Sequence, residues 1–146
     1  MDIRGRISPR NNLAYFECQI KGVNPSFSIP VSFVADTGAS RTAILYKDAD
    51  RISPHLNFDA LEPFGQPLFG IGGKVQPYLL KDITITFKAS EPPEHQESID
   101  SAFVFKDLSK SEAERNDLFT MPSVIGMDIL KRYQLIFQGD EALFFT

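Results

Sequence analysis

Residues 26–38 hold the pattern that most restricts the fold. They read Ser-Phe-Ser-Ile-Pro-Val-Ser-Phe-Val-Ala-Asp-Thr-Gly. Phe27, Ile29, Val31 and Phe33 recur at every second position, with Ser26, Ser28 and Ser32 between them. A period of two is the side-chain spacing on one face of a β-strand, so this segment is predicted to be a half-buried strand. Pro30 cannot donate to a ladder and marks an edge or a bend. Phe33, Val34 and Ala35 make the strand wholly apolar just before Asp36, and the chain turns at Gly38. A carboxylate is thus delivered to the end of a buried strand, an environment that a charged group enters at a cost.

The same period returns along the chain. Residues 13–22 alternate, and Asn24-Pro25 then marks a turn. Residues 67–80 place two apolar arms around Gly70-Ile71-Gly72-Gly73, a hairpin signal. Ile83, Ile85 and Phe87 alternate with Asp82, Thr84 and Thr86, and residues 101–106 read as another strand. Near the end, residues 134–137 and 142–145 are two strands across Gly139-Asp140, which suits a two-residue hairpin turn. Residues 46–52 and 127–133 suit short helices. Residues 54–67 and 89–98 read as loops, the latter polar with Pro92-Pro93. The charged residues 107–116 read as a solvated loop or short helix. About seven or eight short strands with one or two short helices predict an all-β class, a closed barrel or sandwich filling residues 1–146 as one domain.

Composition narrows the function classes. Of the 146 residues 42% are hydrophobic and 13 are Phe, enough for a core without covalent staples. Cys18 is the one cysteine, so no internal disulfide forms. It lies in an alternating apolar stretch and reads as a small core residue rather than a nucleophile. A net charge of −4 without a basic stripe argues against nucleic acid or an anionic membrane as the main partner. Residues 1–12 have no apolar leader core, and no window approaches the ~18 apolar residues of a membrane span. The expected location is cytoplasmic, and the Met1 start fits a free-standing product rather than a segment cut from a polyprotein. His55 and His95 are far apart and loop-borne, so both are read as solvent-facing; neither metal nor cofactor is expected.

Three segments bear on chemistry: Asp36-Thr37-Gly38-Ala39-Ser40 behind its apolar strand, the glycine-rich tip at Gly70–Gly73, and Val124-Ile125-Gly126 followed by Met127-Asp128-Ile129-Leu130. Asp-Thr-Gly by itself is good turn chemistry. The three segments together, in this order, resemble the retroviral-type (retropepsin-like) aspartic peptidases over residues 27–146. That family has an Asp-Thr/Ser-Gly-Ala/Ser motif after an apolar strand, a glycine-rich flap hairpin, and two apolar residues, Gly and a short helix near the C-terminus. The residues around 89–120 are longer than in the family's smallest members. The flap is of the glycine-rich kind, without the tyrosine of two-lobed pepsins.

The resemblance implies an aspartic endopeptidase that works as a homodimer on peptide or protein substrates. Hydrolysis without metal or covalent intermediate needs a base for water and an acid for the carbonyl oxygen. Two adjacent carboxylates sharing a proton supply both. This chain has one Asp-Thr-Gly, so a twofold axis would bring Asp36 against Asp36 of a second copy. By the resemblance, Thr37 locks the two loops together across the dimer and Ser40 supports the outer oxygen of Asp36. Gly38 permits a close backbone approach and unusual dihedrals, its N–H reaching the carboxylate. Gly126 lets Val124–Ile125 pack against the active-site loop, Asp128 starts or caps the short helix, and the apolar C-terminal strand is covered at the dimer interface. Ala39, Ser40, Arg41, Gly70, Ile71, Gly72, Gly73 and Ile125 are expected to meet substrate, with Ile44 and Val75 as further pocket candidates of apolar preference. Arg41 either pairs with an acidic residue across the dimer or contacts substrate.

Two rivals remain. One is a catalytically silent binding module of the same fold, to which the intact Asp-Thr-Gly-Ala-Ser is the objection. The other is phosphoryl transfer with Asp36 as nucleophile, which needs further carboxylates for Mg²⁺ and usually a Lys beside the motif. Neither Thr37 nor Ala39 offers this.

Overall fold

Alternation of inward apolar and outward polar side chains builds nearly every element. In the computed structural model the described residues are 2–66, 68–70, 73–88 and 94–145, side chains at 68–70 and 73–74 aside. The elements run β1 (Asp2–Ile7), β2 (Ala14–Val23), β3 (Ser26–Ala35), β4 (Ala43–Ile44), α1 (Tyr46–Ile52), β5 (Glu62–Pro63), β6 (Leu68–Gly70) and β7 (Gly73–Phe87). There follow β8 (His95–Asp107), α2 (Glu112–Phe119), β9 (Val124–Ile125), α3 (Met127–Leu130), β10 (Gln134–Gln138) and β11 (Glu141–Phe145).

The strands lie in the order β10-β11-β1-β2-β3-β9-β4-β8-β7-β5, with β6 on β7. Strand β2 also pairs β7, Cys18 opposite Phe87 through Gly22 opposite Ile83. That extra ladder closes β2, β3, β9, β4, β8 and β7 into a six-strand barrel, and closure removes open edges within the ring. The all-β closed architecture is the one the alternation predicts.

Side-chain burial follows the period. On β2, Phe16, Cys18 and Ile20 are at most 1% exposed while Glu17 and Lys21 face out. On β3, Phe27, Val31 and Phe33 are buried and Ser26, Ser28 and Pro30 are exposed. Val34 is buried as well, so both faces are covered on the approach to Asp36. Pro30 sits where β3 pairs β2 alone, since β9 meets β3 only at Val34 and Ala35. Phe16 and Phe144 stack with centroids 4.0 Å apart, and Phe87 meets both edge-on. Each such ring contributes about 1.5–3 kcal/mol by leaving water. Burial, with Glu17 adding to it, pushes the Cys18 thiol far up. The nucleophilic thiolate is thereby suppressed, in keeping with a core role.

Several expectations change. The hairpin arm after residue 73 and the strand at 83–87 are one 15-residue strand, β7. Its partner β8 starts at His95, so residues 95–98 are strand and not loop. His95 is not solvent-facing: its side chain is 22% exposed and hydrogen-bonds Glu97 (2.9 Å) and Tyr133. His55 is exposed, within a short 3-10 turn at Ser53–His55. Residues 112–119 form the helix α2, capped by Ser111 Oγ, which accepts from the Glu114 N–H. Strand β1 is hard to read because Gly5 interrupts its apolar side (Ile3, Gly5, Ile7), Asp2, Arg4 and Arg6 lying on the other face; the Phe16 ring fills the space a side chain at Gly5 would take.

The C-terminal strand is also not an open edge. β11 lies between β10 and β1 of the same chain, and Ala142 and Phe144 are fully buried there. The edge falls on β10, where Phe137 is 58% exposed. Gly139, at φ +62°, forms the expected two-residue turn with Asp140 between β10 and β11. Among the described residues no helix is long and apolar enough to cross a membrane.

Candidate active site

Strand β3 ends at Ala35, and the chain re-enters the barrel at β4, residue 43. Between these strands lies β9, parallel to β3 (Val34 opposite Val124, Ala35 opposite Ile125) and antiparallel to β4 (Ala43 opposite Val124). The loop of residues 36–42 must therefore pass from one side of β9 to the other, over its end. That end is Gly126. A Cβ built there would stand 2.5 Å from the Arg41 carbonyl carbon, 2.6 Å from its oxygen and 2.8 Å from the Ala39 oxygen. No side chain fits, which is the tight packing expected of this glycine.

Backbone bonds fasten the loop. The Asp36 N–H donates to the Ile125 carbonyl (3.0 Å), and the Met127 N–H to the Ala39 carbonyl (2.8 Å). The Asp36 carboxylate accepts from the Gly38 N–H at 2.9 Å, closing an Asx turn. A Cβ on Gly38 would lie 3.2 Å from that carboxylate oxygen. Gly38 is not among the glycines at positive φ, so its need is close approach and not unusual dihedrals. Asp36 is half-buried, while Thr37, Gly38 and Ser40 are exposed. Ser40 does not hydrogen-bond Asp36 within the subunit, contrary to the support expected of it; among the described residues Gly38 is the carboxylate's one hydrogen-bond donor.

Behind the loop sits a polar staple that the sequence had hidden. Thr42 is fully buried. Its N–H donates to the Asp128 carboxylate (3.0 and 3.1 Å), as does its Oγ1 (2.8 Å), and the Gly126 N–H donates to that Oγ1 (3.3 Å). Asp128 thus ties α3 to the end of the loop of residues 36–42. Gly126 holds the cap position, while Asp128 lies in the first turn of α3, where its carboxylate also accepts from the Ile129 N–H (3.0 Å). A second clamp is Ser123, also fully buried, whose Oγ donates to Asp48 (2.6 Å) and accepts from the Leu45 N–H (2.9 Å). Asp48 in turn accepts from Arg51 (3.1 Å). These residues missed notice because Thr and Ser carry no pattern of their own. The one available signal was a Thr and an Asp each placed just after a motif.

Asp36, Gly38, Ala39, Ser40 and Arg41 border one cavity of about 650 Å³, walled also by Val34, Leu45, Phe103, Phe105, Met121 and Val124. Val124, and not Ile125, faces it; Ile125 is fully buried in the core, and so is Ile44. Val75 is half-buried on β7 and is not part of the wall. Gly70, the last residue of β6, pairs with Gly73, the first of β7, giving the expected hairpin. Ile71 and Gly72, at its tip, lie outside the described residues, as do residues 89–93. The Arg41 guanidinium lies over the rings of Phe64 (5.2 Å) and Phe103 (5.3 Å).

No protein-family model matches this chain, and no curated protein matches it in sequence. Solved structures do. A retropepsin-like aspartic protease from Rickettsia conorii superposes with a TM-score of 0.55, covering 99% of this chain and 89% of that one at 17% identity. EIAV protease, in complex with the inhibitor HBY-793, superposes with a TM-score of 0.42, covering 86% and 91% at 15% identity. The first of these likenesses establishes the fold: the chain has the retropepsin-like architecture.

Proposed function

We propose that this chain is an aspartic endopeptidase whose catalytic centre is completed by two copies, Asp36 facing Asp36. The observation that carries the reading is a single half-buried carboxylate, fixed by the Gly38 N–H, in the wall of a largely apolar cavity of about 650 Å³. Among the residues bordering that cavity Asp36 is the one carboxylate. One carboxylate does not serve as base and acid at once, whereas two sharing a proton do. The charged one takes a proton from water as that water attacks the scissile carbonyl. The protonated one gives its proton to the carbonyl oxygen.

The exposure of Thr37, Gly38 and Ser40 supports the symmetric arrangement, because a second loop can approach there. Thr37 makes no side-chain hydrogen bond among the described residues, which leaves its hydroxyl for a partner loop. The hairpin of β6 and β7 would serve as a lid that excludes water from the bound peptide. Residues 1–146 would act as one domain around the barrel core.

The test is cleavage of unfolded casein or peptide mixtures across a range of protein concentrations, with sedimentation in parallel. Activity per subunit should rise as dimer forms, and Asp36→Asn should abolish it. Cleavage that survives Asp36→Asn, or that stays constant per subunit down to concentrations where only monomer sediments, contradicts the proposal. Peptide binding without cleavage at any concentration would favour a silent binding module.

A further inference from the structure

Two ionisable side chains border the cavity, Asp36 and Arg41. The first is absorbed by the proposed chemistry. The second is not, and its surroundings are unusual for a cation. Arg41 is half-buried in a wall made largely of Val34, Leu45, Phe103 and Val124. It has no carboxylate partner among the described residues; the ion pairs found there use other cations. Nor does its guanidinium donate a hydrogen bond to any described group.

What holds it is aromatic. The guanidinium carbon lies 5.2 Å from the Phe64 centroid and 5.3 Å from that of Phe103, and the two rings are themselves 5.0 Å apart. Cation–π contact with the two rings repays part of its lost hydration. The N–H donors lie in the plane of the guanidinium group. The guanidinium nitrogens are not among the buried polar atoms without a partner, so the cation keeps its donors open to a group entering the cavity. Its natural complement is a carboxylate, which a planar fork binds through two parallel hydrogen bonds.

We infer that Arg41 is a specificity-determining residue that selects peptide substrates bearing an Asp or Glu side chain in the groove. The inference rests on the peptidase reading of this site and deepens it, replacing the expected purely apolar preference. Asp36 on the same wall repels a second anion. The acidic residue is therefore placed away from the scissile bond, at a subsite beside Phe64 and Phe103. The chain's net charge of −4 gives no long-range attraction for acidic peptides, so the selection is local.

The experiment separates recognition from chemistry. Peptide libraries identical except for Glu or Gln at one scanned position are titrated against the Asp36→Asn protein, which retains the groove without the proposed chemistry. At one position Glu should bind about tenfold tighter than Gln, the size expected of a charge-assisted pair in a partly dry site. The preference should vanish with Arg41→Gln added, reverse towards Lys with Arg41→Glu, and shrink with Arg41→Lys, which keeps charge but loses the fork. Equal binding of Glu and Gln at every position overturns the inference without need of any Arg41 variant. So does a preference that Arg41→Gln leaves intact, or a loss of dimer with Arg41→Gln and no change in the ratio, which would assign Arg41 to the second subunit. Failure of the peptidase reading looks different: the Glu preference persists, yet wild-type protein cuts neither library.

Discussion

Replacing Gly126 by Ala adds one methyl group where the loop of residues 36–42 crosses over β9. The new Cβ would stand 2.5 Å from the Arg41 carbonyl carbon and 2.8 Å from the Ala39 oxygen. Carbon atoms prefer separations of about 3.5–4.0 Å. The loop and α3 must therefore part by about 1 Å, and the obstructing atoms are backbone, which has no rotamer to yield. Overpacking of this kind costs about 1–3 kcal/mol, or a fall in melting temperature of about 3–10 °C for a chain of this size. Displacing a positioned group by about 1 Å costs on the order of a hundredfold in rate. Cleavage should therefore fall much further than stability. The chain has no Trp, so melting is followed by circular dichroism. Gly139→Ala is the control: its Cβ meets nothing within 4 Å, but its φ of +62° strains a side chain. It should lose about 1 kcal/mol and keep full activity. A Gly126→Ala protein with wild-type melting and wild-type cleavage would refute the claim that this contact sets the loop.

Two other perturbations probe the supports. Asp128→Ala leaves the buried Thr42 N–H and hydroxyl without their acceptor, and should cost about 2–4 kcal/mol in urea unfolding, with Asp128→Asn recovering part of it. The Glu97 carboxylate gives a pH test. Its burial opposes the charged form, but hydrogen bonds from Tyr133, His95 and Arg132, with the charge of Arg132, outweigh it and hold the carboxyl below its ordinary value of 4.5. A depressed folded-state value means stability that is present above pH 4.5 and lost as pH falls through the lower folded value. Glu97→Gln should accordingly lower stability by about 1 kcal/mol near neutral pH and by less at an acidic pH below the folded value, where the wild type has given up the same charge. An equal penalty at both pH values would exclude this linkage.

The residues that announced the site were those whose chemistry is tied to spacing. The alternation from Phe27 to Phe33 predicted both the strand and its buried face, and it placed Asp36 at the strand's end. The Gly70–Gly73 arms predicted the hairpin, and Gly126 the close packing. What stayed hidden depends on tertiary neighbours. Strand β1 is legible only once Phe16 is known to fill the space over Gly5. His95 looked like a loop residue because a polar run with prolines precedes it, yet β7 is long enough to recruit it into β8. Val124 and Ile125 are adjacent and alike, and only the register against β3 and β4 decides which one meets the cavity. Thr42 and Ser123 have no periodic signal; their roles come from partners about 80 residues away in sequence, Asp128 and Asp48. The C-terminal strand shows the opposite error: its apolarity was read as an intersubunit surface, whereas β10 and β1 already flank it.

The two-copy centre is tested most directly by mixing subunits. Wild-type and Asp36→Asn chains are unfolded together, refolded in equal amounts at fixed total concentration, and assayed for peptide cleavage. If each centre needs one Asp36 from both chains, random pairing leaves about a quarter of the activity of the all-wild-type sample. Retention of about half, the linear result, would mean that a single subunit carries the whole catalytic apparatus, and would contradict the account.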